Sequence, residues 1–289
     1  MFEGYRVSEI DTGSVTIHVR HGGSGPPLLL LHGHPQTHVM WHRIAPALAE
    51  RFTVVAPDLR GYGDSSKPPT NDTHEPYSKR AMARDQVALM QSLGFERFNV
   101  AGHDRGGRVA YRMALDHPQR VLKLAVLDIV PTGEHLRRAD ASFALGYWHW
   151  FFLAQRHPFP ELVIGADPDT FYLNRRGPGS HTIFAPEALA EYRRCWNDPA
   201  TVHAMCEDYR AAATFDYALD ESERGKRRIE CPLLALWGRD NFLNDWYDVL
   251  AIWRDWADDV QGRALPCGHF LPEESPEETL AAFLAFFGI

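Results

Sequence analysis

The sequence predicts an α/β protein with a mostly parallel central sheet, helices on both faces and a helical insertion. Three observations carry this. Short apolar runs at 28–31, 53–56, 98–101 and 124–129 read as strands buried on both faces. They alternate with helical patterns at 41–50, 81–93 and 106–116, the rhythm of βα units. That rhythm stops after Pro131, is absent from 132–227, and returns with a strand at 232–237.

Taken in order, two runs at 5–10 and 15–20 read as strands around the turn signal Asp11-Thr12-Gly13-Ser14. Pro26-Pro27 precedes the buried run at 28–31, and 53–56 is a second β-rich run. Residues 81–93 form an amphipathic helix pattern between 53–56 and the strand at 98–101. The segment after Pro131 is rich in aromatics (Phe143, Tyr147, Trp148, Trp150, Phe151, Phe152) and carries helical patterns such as 186–196. The last stretch reads as strand 232–237, helix 246–256, a short strand at 260–264 and a final helix at 276–287. The expected organisation is a core of residues 1–131 and 228–289 interrupted by a helical cap, 132–227, with no internal repeat.

Composition narrows the function classes. The chain of 289 residues can bury a sizeable core without disulfides or metal. Its 30 Lys plus Arg against 38 Asp plus Glu give a formal charge of −8, the wrong sign for a nucleic-acid or membrane-surface partner. No apolar run reaches the roughly 18 residues of a membrane span, and the first six residues do not read as a signal peptide. Cys195, Cys206, Cys231 and Cys267 form no Cys-x-x-Cys pair, so reduced thiols in a cytoplasmic protein are expected. The histidines at 32, 34, 38 and 42 cluster in sequence, but a loop role explains them better than a metal. An anionic substrate would need a few local cations in so acidic a chain.

The chemistry-bearing motif is Gly102-His103-Asp104-Arg105-Gly106-Gly107, set between a strand and a helix. Small-x-nucleophile-x-small at such a junction is the nucleophile elbow of α/β hydrolases, a turn so tight that its neighbours must be small. Asp104 stands where serine is usual. A carboxylate is already a nucleophile at neutral pH, and it forms an ester by displacing a leaving group from saturated carbon. The alternative is an Asp that only caps the helix. His32-Gly33-His34-Pro35 follows the strand at 28–31, the place of an oxyanion-hole loop, so the amides of His34 and Arg105 are the candidate donors. Cys267-Gly268-His269-Phe270 lies between the last strand and last helix, where such a fold places its general base. Asp128 and Asp240 each follow a strand, and spacing does not choose which orients His269.

With these residues in place the chain resembles the fluoroacetate (haloacetate) dehalogenases of the α/β-hydrolase superfamily over nearly its whole length. The resemblance rests on His103-Asp104-Arg105-Gly106-Gly107-Arg108, Val126-Leu127-Asp128-Ile129, Tyr147-Trp148-His149-Trp150, Cys206-Glu207-Asp208-Tyr209-Arg210 and Gly268-His269-Phe270. It implies hydrolytic dehalogenation with Asp104 as nucleophile, His269 as base and Asp128 as its partner. It implies Arg105 and Arg108 as ligands of the substrate carboxylate, and His149, Trp150 and Tyr209 as ligands of the halide. No metal or organic cofactor is implied; the partners are a small haloacid and its halide, and the assembly a homodimer. The chain departs from the family pattern at Gly133, where an aromatic is usual, and at 174–183, which lacks a tryptophan; both departures are expected at the access channel or pocket wall.

Two other readings use the same residues. An epoxide hydrolase would keep Asp104 and His269 and protonate the epoxide oxygen from cap tyrosines such as Tyr147 and Tyr209; the arginine pair argues instead for an anion. A ligand-binding receptor on a hydrolase fold would not need both Asp104 and His269.

Overall fold

In the computed structural model, residues 1–174 and 180–288 are described. The strands are β1 (Arg6–Asp11), β2 (Thr16–Gly23), β3 (Pro27–Leu31), β4 (Thr53–Pro57), β5 (Phe98–His103), β6 (Val121–Leu127), β7 (Leu233–Gly238) and β8 (Val260–Leu265). They form one sheet in the order β1-β2-β4-β3-β5-β6-β7-β8. β1 pairs antiparallel with β2, and β2 with β4; from β4 across to β8 the pairs are parallel.

Burial follows position in that order. In β5 every residue is buried, and in β3 all but the first. Both lie mid-sheet with helices on either side, which is why their sequences are nearly unbroken apolar runs. β1 and β8, at the edges, alternate exposed and half-buried residues over most of their length. Removing each central leucine from water contributes about 1.5–3 kcal/mol, so Leu28–Leu31, Leu124, Leu127, Leu233 and Leu236 anchor the core.

Most expected elements form, with boundary shifts that have local causes. The helix over 81–93 is Lys79–Ser92, begun by Ser78, whose side chain accepts the amide of Ala81. The pattern at 41–50 divides into a 3₁₀ turn, His38–Trp41, and a short helix, Ala45–Ala49, because Pro46 suits only a first turn. The pattern at 246–256 likewise divides into Phe242–Trp246 and Val249–Trp256, with Asp248 capping the second. The strand at 124–129 ends two residues early, at Leu127, because Asp128 adopts φ 55°.

Between β6 and β7 the described residues form helices joined by loops, and no strand, from Thr132–Arg137 through Trp148–Leu153, Pro186–Trp196 and Pro199–Ala211 to Tyr217–Glu223. Among the described residues no helix is long and apolar enough to cross a membrane. The chain segments that leave the carboxyl ends of β3, β5, β6, β7 and β8 gather at one edge of the sheet, where ligands of open α/β sheets bind.

Candidate active site

Asp104 follows β5 and precedes the helix Arg105–Asp116. Its backbone is held at φ 48°, ψ −115°, a left-handed conformation that costs a non-glycine residue about 1–3 kcal/mol. The turn is fixed on both sides: the Asp104 amide donates to Leu127 O at 3.1 Å, and its carbonyl accepts from the Arg108 amide at 3.1 Å. The glycine requirement is steric. A Cβ on Gly106 would lie 2.3 Å from the carbonyl oxygen of His32 and 2.4 Å from that of Leu31. The capping role is not realised, for the Asp104 side chain makes no cap hydrogen bond. Its Oδ1 instead accepts the backbone amide of His34 at 3.0 Å. Arg105 opens the helix, so its amide has no intrahelical acceptor.

Geometry separates the two carboxylates that spacing could not. His269 Nδ1 lies 2.5 Å from Asp128 Oδ2, and its Nε2 faces Asp104 Oδ2 at 4.0 Å. Asp240 is exposed, and its amide donates to Cys267 O. Asp128 is buried and multiply held: Oδ1 accepts the Gly238 amide at 2.9 Å, and Oδ2 also accepts Asn241 Nδ2 at 2.5 Å. Its own amide donates to Leu236 O at 2.8 Å, so the β6–β7 pairing sets its height above the sheet.

Asp104, Asp128 and His269 share a small cavity with His34, Arg108, Tyr147, His149, Trp150 and Tyr209. The helical insertion supplies its roof. The Arg108 guanidinium carbon lies 4.5 Å from the Trp150 ring centre, and Nη1 donates to Val130 O at 3.0 Å. Its Nε is buried without a partner among the described residues. Arg105 is placed differently from Arg108. It lies over the Tyr209 ring at 4.2 Å and commits Nε and Nη2 to Asp208, at 3.0 and 2.6 Å. Only its Nη1 is left without a partner among the described residues.

The electrostatics favour an ionised Asp104. Burial pushes its pKa up, but the charges around it, His269 first and then Arg108 and Arg105, overcome this and hold it well below the usual carboxylate range. His103 sits behind the site, with Nε2 donating to His269 O at 2.7 Å. Burial, reinforced by His269, pushes its pKa down to about 3, so His103 stays neutral. A neutral neighbour under His269 leaves Asp104 and Asp128 as the charges that His269 meets.

The structure therefore brings Asp104, His269, Asp128, Arg108, His149, Trp150, Tyr209 and the His34 amide to one cavity, with Arg105 immediately behind Tyr209. Sequence reasoning missed Asn241 and Asp208 as partners of Asp128 and Arg105; Asp208 lies inside a noted motif, but its partner is 103 residues away. Gly133, expected at the access channel or pocket wall, packs elsewhere. Its amide donates to Asp220 Oδ2 at 2.9 Å, and a Cβ there would lie 2.8 Å from that of Asp220, so an aromatic has no room. Of the other departure, residues 175–179 lie outside the described residues. The histidine cluster is spent locally. His32 bridges Gly33 O and the Leu59 amide, His38 bonds Asp58, and His42 reaches Val39 O, while His34 joins the cavity.

Comparison with known proteins places these residues in context. The α/β hydrolase fold family matches residues 26–276. A fluoroacetate dehalogenase of Burkholderia sp is 50% identical over 282 residues, covering 96% of this chain and 92% of that one. A soluble epoxide hydrolase of Corynebacterium sp. (strain C12) is 36% identical over 297 residues, covering 99% and 95%. The crystal structure of ALR0039 from Nostoc sp PCC 7120 superposes with a TM-score of 0.97 at 55% identity, covering 100% of this chain and 99% of that one.

Proposed function

The chain belongs to the α/β-hydrolase fold family, and from that premise we propose that it hydrolyses haloacetates, fluoroacetate or chloroacetate, to glycolate and halide. One observation carries this. A buried carboxylate on a strained elbow, Asp104, shares a small cavity with a buried arginine, Arg108, and with N–H and O–H donors from His149, Trp150 and Tyr209. The 50% identity to a fluoroacetate dehalogenase over nearly the whole chain supports the same reading.

In this mechanism Asp104 attacks the α-carbon, the carbon–halogen bond breaks, and the halide leaves with the bonding pair. The product of this step is an ester on Asp104. Fluoride is strongly hydrated in water, so a dry site must replace that hydration with donors aimed at the developing charge. Imidazole, indole and phenol each supply one. The substrate carboxylate pairs with Arg108, with Nη1 of Arg105, which has no partner among the described residues, as the second candidate donor, since guanidinium matches a carboxylate in shape and charge. A water within reach of both His269 Nε2 and Asp104, whose facing atoms are 4.0 Å apart, loses its proton to His269 and attacks the ester carbonyl. Asp128 holds the resulting imidazolium and the amides of His34 and Arg105 receive the oxyanion; on collapse the imidazolium returns its proton to the departing alkoxide oxygen, which releases glycolate and restores Asp104 and neutral His269. Residues 132–227 act as a cap that supplies the halide donors.

The test is a side-by-side assay of fluoroacetate, chloroacetate, 2-chloropropionate and styrene oxide. Halide release from both haloacetates is expected, with kcat/KM at least about tenfold lower for 2-chloropropionate, because one added methyl must fit the small cavity. Diol formation from styrene oxide without halide release would assign the chain to epoxide hydrolysis, for which Tyr147 and Tyr209 also line the cavity.

The insertion exposes Leu145, Trp148, Phe151 and Leu162, apolar surface that suits a homodimer contact. Sedimentation equilibrium should return twice the chain mass of 32.8 kDa; a concentration-independent monomer would exclude the dimer.

A further inference from the structure

Arg105 and Asp208 raise a question of charge. Asp208 is fully buried and accepts Nε and Nη2 of Arg105 side-on, so the two form a neutral pair. A neutral pair behind Tyr209 would offer an incoming anion only a dipole, which weakens faster with distance than a charge. The structure places a third charge on the same carboxylate. Lys79, the first residue of the helix Lys79–Ser92, is buried and bonds Asp208 Oδ1 through Nζ. The Tyr62 hydroxyl donates to Asp208 Oδ2 at 2.7 Å and completes the node.

We propose that Lys79, acting through Asp208, offsets the buried carboxylate charge that would otherwise cancel Arg105 where it meets the substrate carboxylate. The inference rests on the haloacetate reading above and extends it: affinity for the anion is set partly by a lysine that lies outside the cavity wall. Lys79 is thus a positioning residue for charge and does not touch the reacting atoms. Two cations on one carboxylate leave the trio at +1; an ionised Asp216 beside Nζ brings the four groups to neutrality, so losing Lys79 would leave −1 behind Arg105, and a low-dielectric setting lets that difference act over several ångströms.

Two further groups bear on the charge of Lys79. Asp216 Oδ1 accepts the Lys79 backbone amide at 3.0 Å, and Oδ2 lies 3.8 Å from Nζ. Burial and the Arg105 charge hold the Lys79 pKa below the usual lysine range, against the pull of Asp208 and Asp216. Burial raises the Asp216 carboxyl to about 6, against the pull of Lys79, so at pH 8 it is ionised and subtracts from the node. The node therefore carries one group that adds positive charge and one that removes it, neither lining the cavity.

This arrangement predicts opposite signs from two variants of the full chain, assayed with chloroacetate at pH 8. Lys79→Met should raise KM, and the inhibition constant of the product anion glycolate, by at least about fivefold, with kcat moved by less than about threefold. Asp216→Asn keeps the acceptor for the Lys79 amide and removes a negative charge, so KM and the glycolate constant should fall. Lys79→Arg should restore wild-type values. KM rising in both variants, or unchanged in both, would overturn the inference while the wild-type enzyme still released chloride. If wild type releases none, the haloacetate reading itself has failed. Should Lys79→Met not fold, Asp216→Asn decides alone: an unchanged or raised KM refutes the charge role.

Discussion

Asp104→Asn should lower halide release from fluoroacetate and chloroacetate by at least about 10³-fold without unfolding the chain. The amide has nearly the shape of the carboxylate, so its oxygen can still accept the His34 amide and the elbow keeps its Leu127 and Arg108 backbone bonds. What it loses is nucleophilicity. An amide oxygen does not displace halide from carbon at neutral pH, and the other carboxylate lining the cavity cannot take over. Asp128 is held by Gly238, Asn241 and His269, and its Oδ2 is turned toward the imidazole. Thermal melting together with a fluoride-electrode assay reads this directly. A well-folded Asp104→Asn chain releasing fluoride at the native rate would remove Asp104 from the chemistry.

His269→Gln should divide the reaction in two. Displacement of halide needs no base, because the nucleophile is itself a carboxylate, and Arg108 and Arg105 still favour its ionised form once His269 is gone. Hydrolysis of the ester does need one. The variant is therefore expected to release about one equivalent of chloride per chain and then stall, with steady turnover down by about 10³-fold or more. Mass spectrometry of the peptide containing Asp104 should then find it carrying one carboxymethyl group. No burst and no adduct would mean that His269 also serves the first step; undiminished turnover would mean that another group activates water.

The two variants bear on residues that the sequence disclosed unequally well. Asp104 was legible because the elbow is encoded locally: Gly102 and Gly106 bracket it, and the collision a Gly106 side chain would make with the backbone of β3 explains why. His269 was legible from its place after the last strand. The partner of His269 was not, because Asp128 and Asp240 both follow strands that are neighbours in the sheet. The choice depends on how β6 registers against β7 and on Asn241 closing over Asp128, neither of which is written in local spacing. The division of labour between Arg105 and Arg108 was hidden for a similar reason. Both lie on the first turn of one helix, but Asp208, from the far end of the insertion, takes two nitrogens of the first and none of the second. Gly133 shows the converse, a departure in the sequence whose cause is a single contact, Asp220, remote in the chain.

Asp104 and Asp128 have one more property in common: both have positive φ, 48° and 55°, at the carboxyl ends of adjacent strands. Neither acid would choose that torsion alone. Each is kept there by a bond to the next strand over, Asp104 to Leu127 O and Asp128 to Leu236 O. The sheet thus works as a spring clip. Three strands in register hold two acids in a posture they would otherwise leave, and the facing of His269 toward both depends on that grip. Loosening at the ends of β5, β6 and β7 would let the acids relax and the reaction stop while the helices and most of the core were still folded. Inactivation is therefore expected to precede unfolding on heating, with activity lost below the melting transition as a few peptide bonds at the rim of the sheet give way.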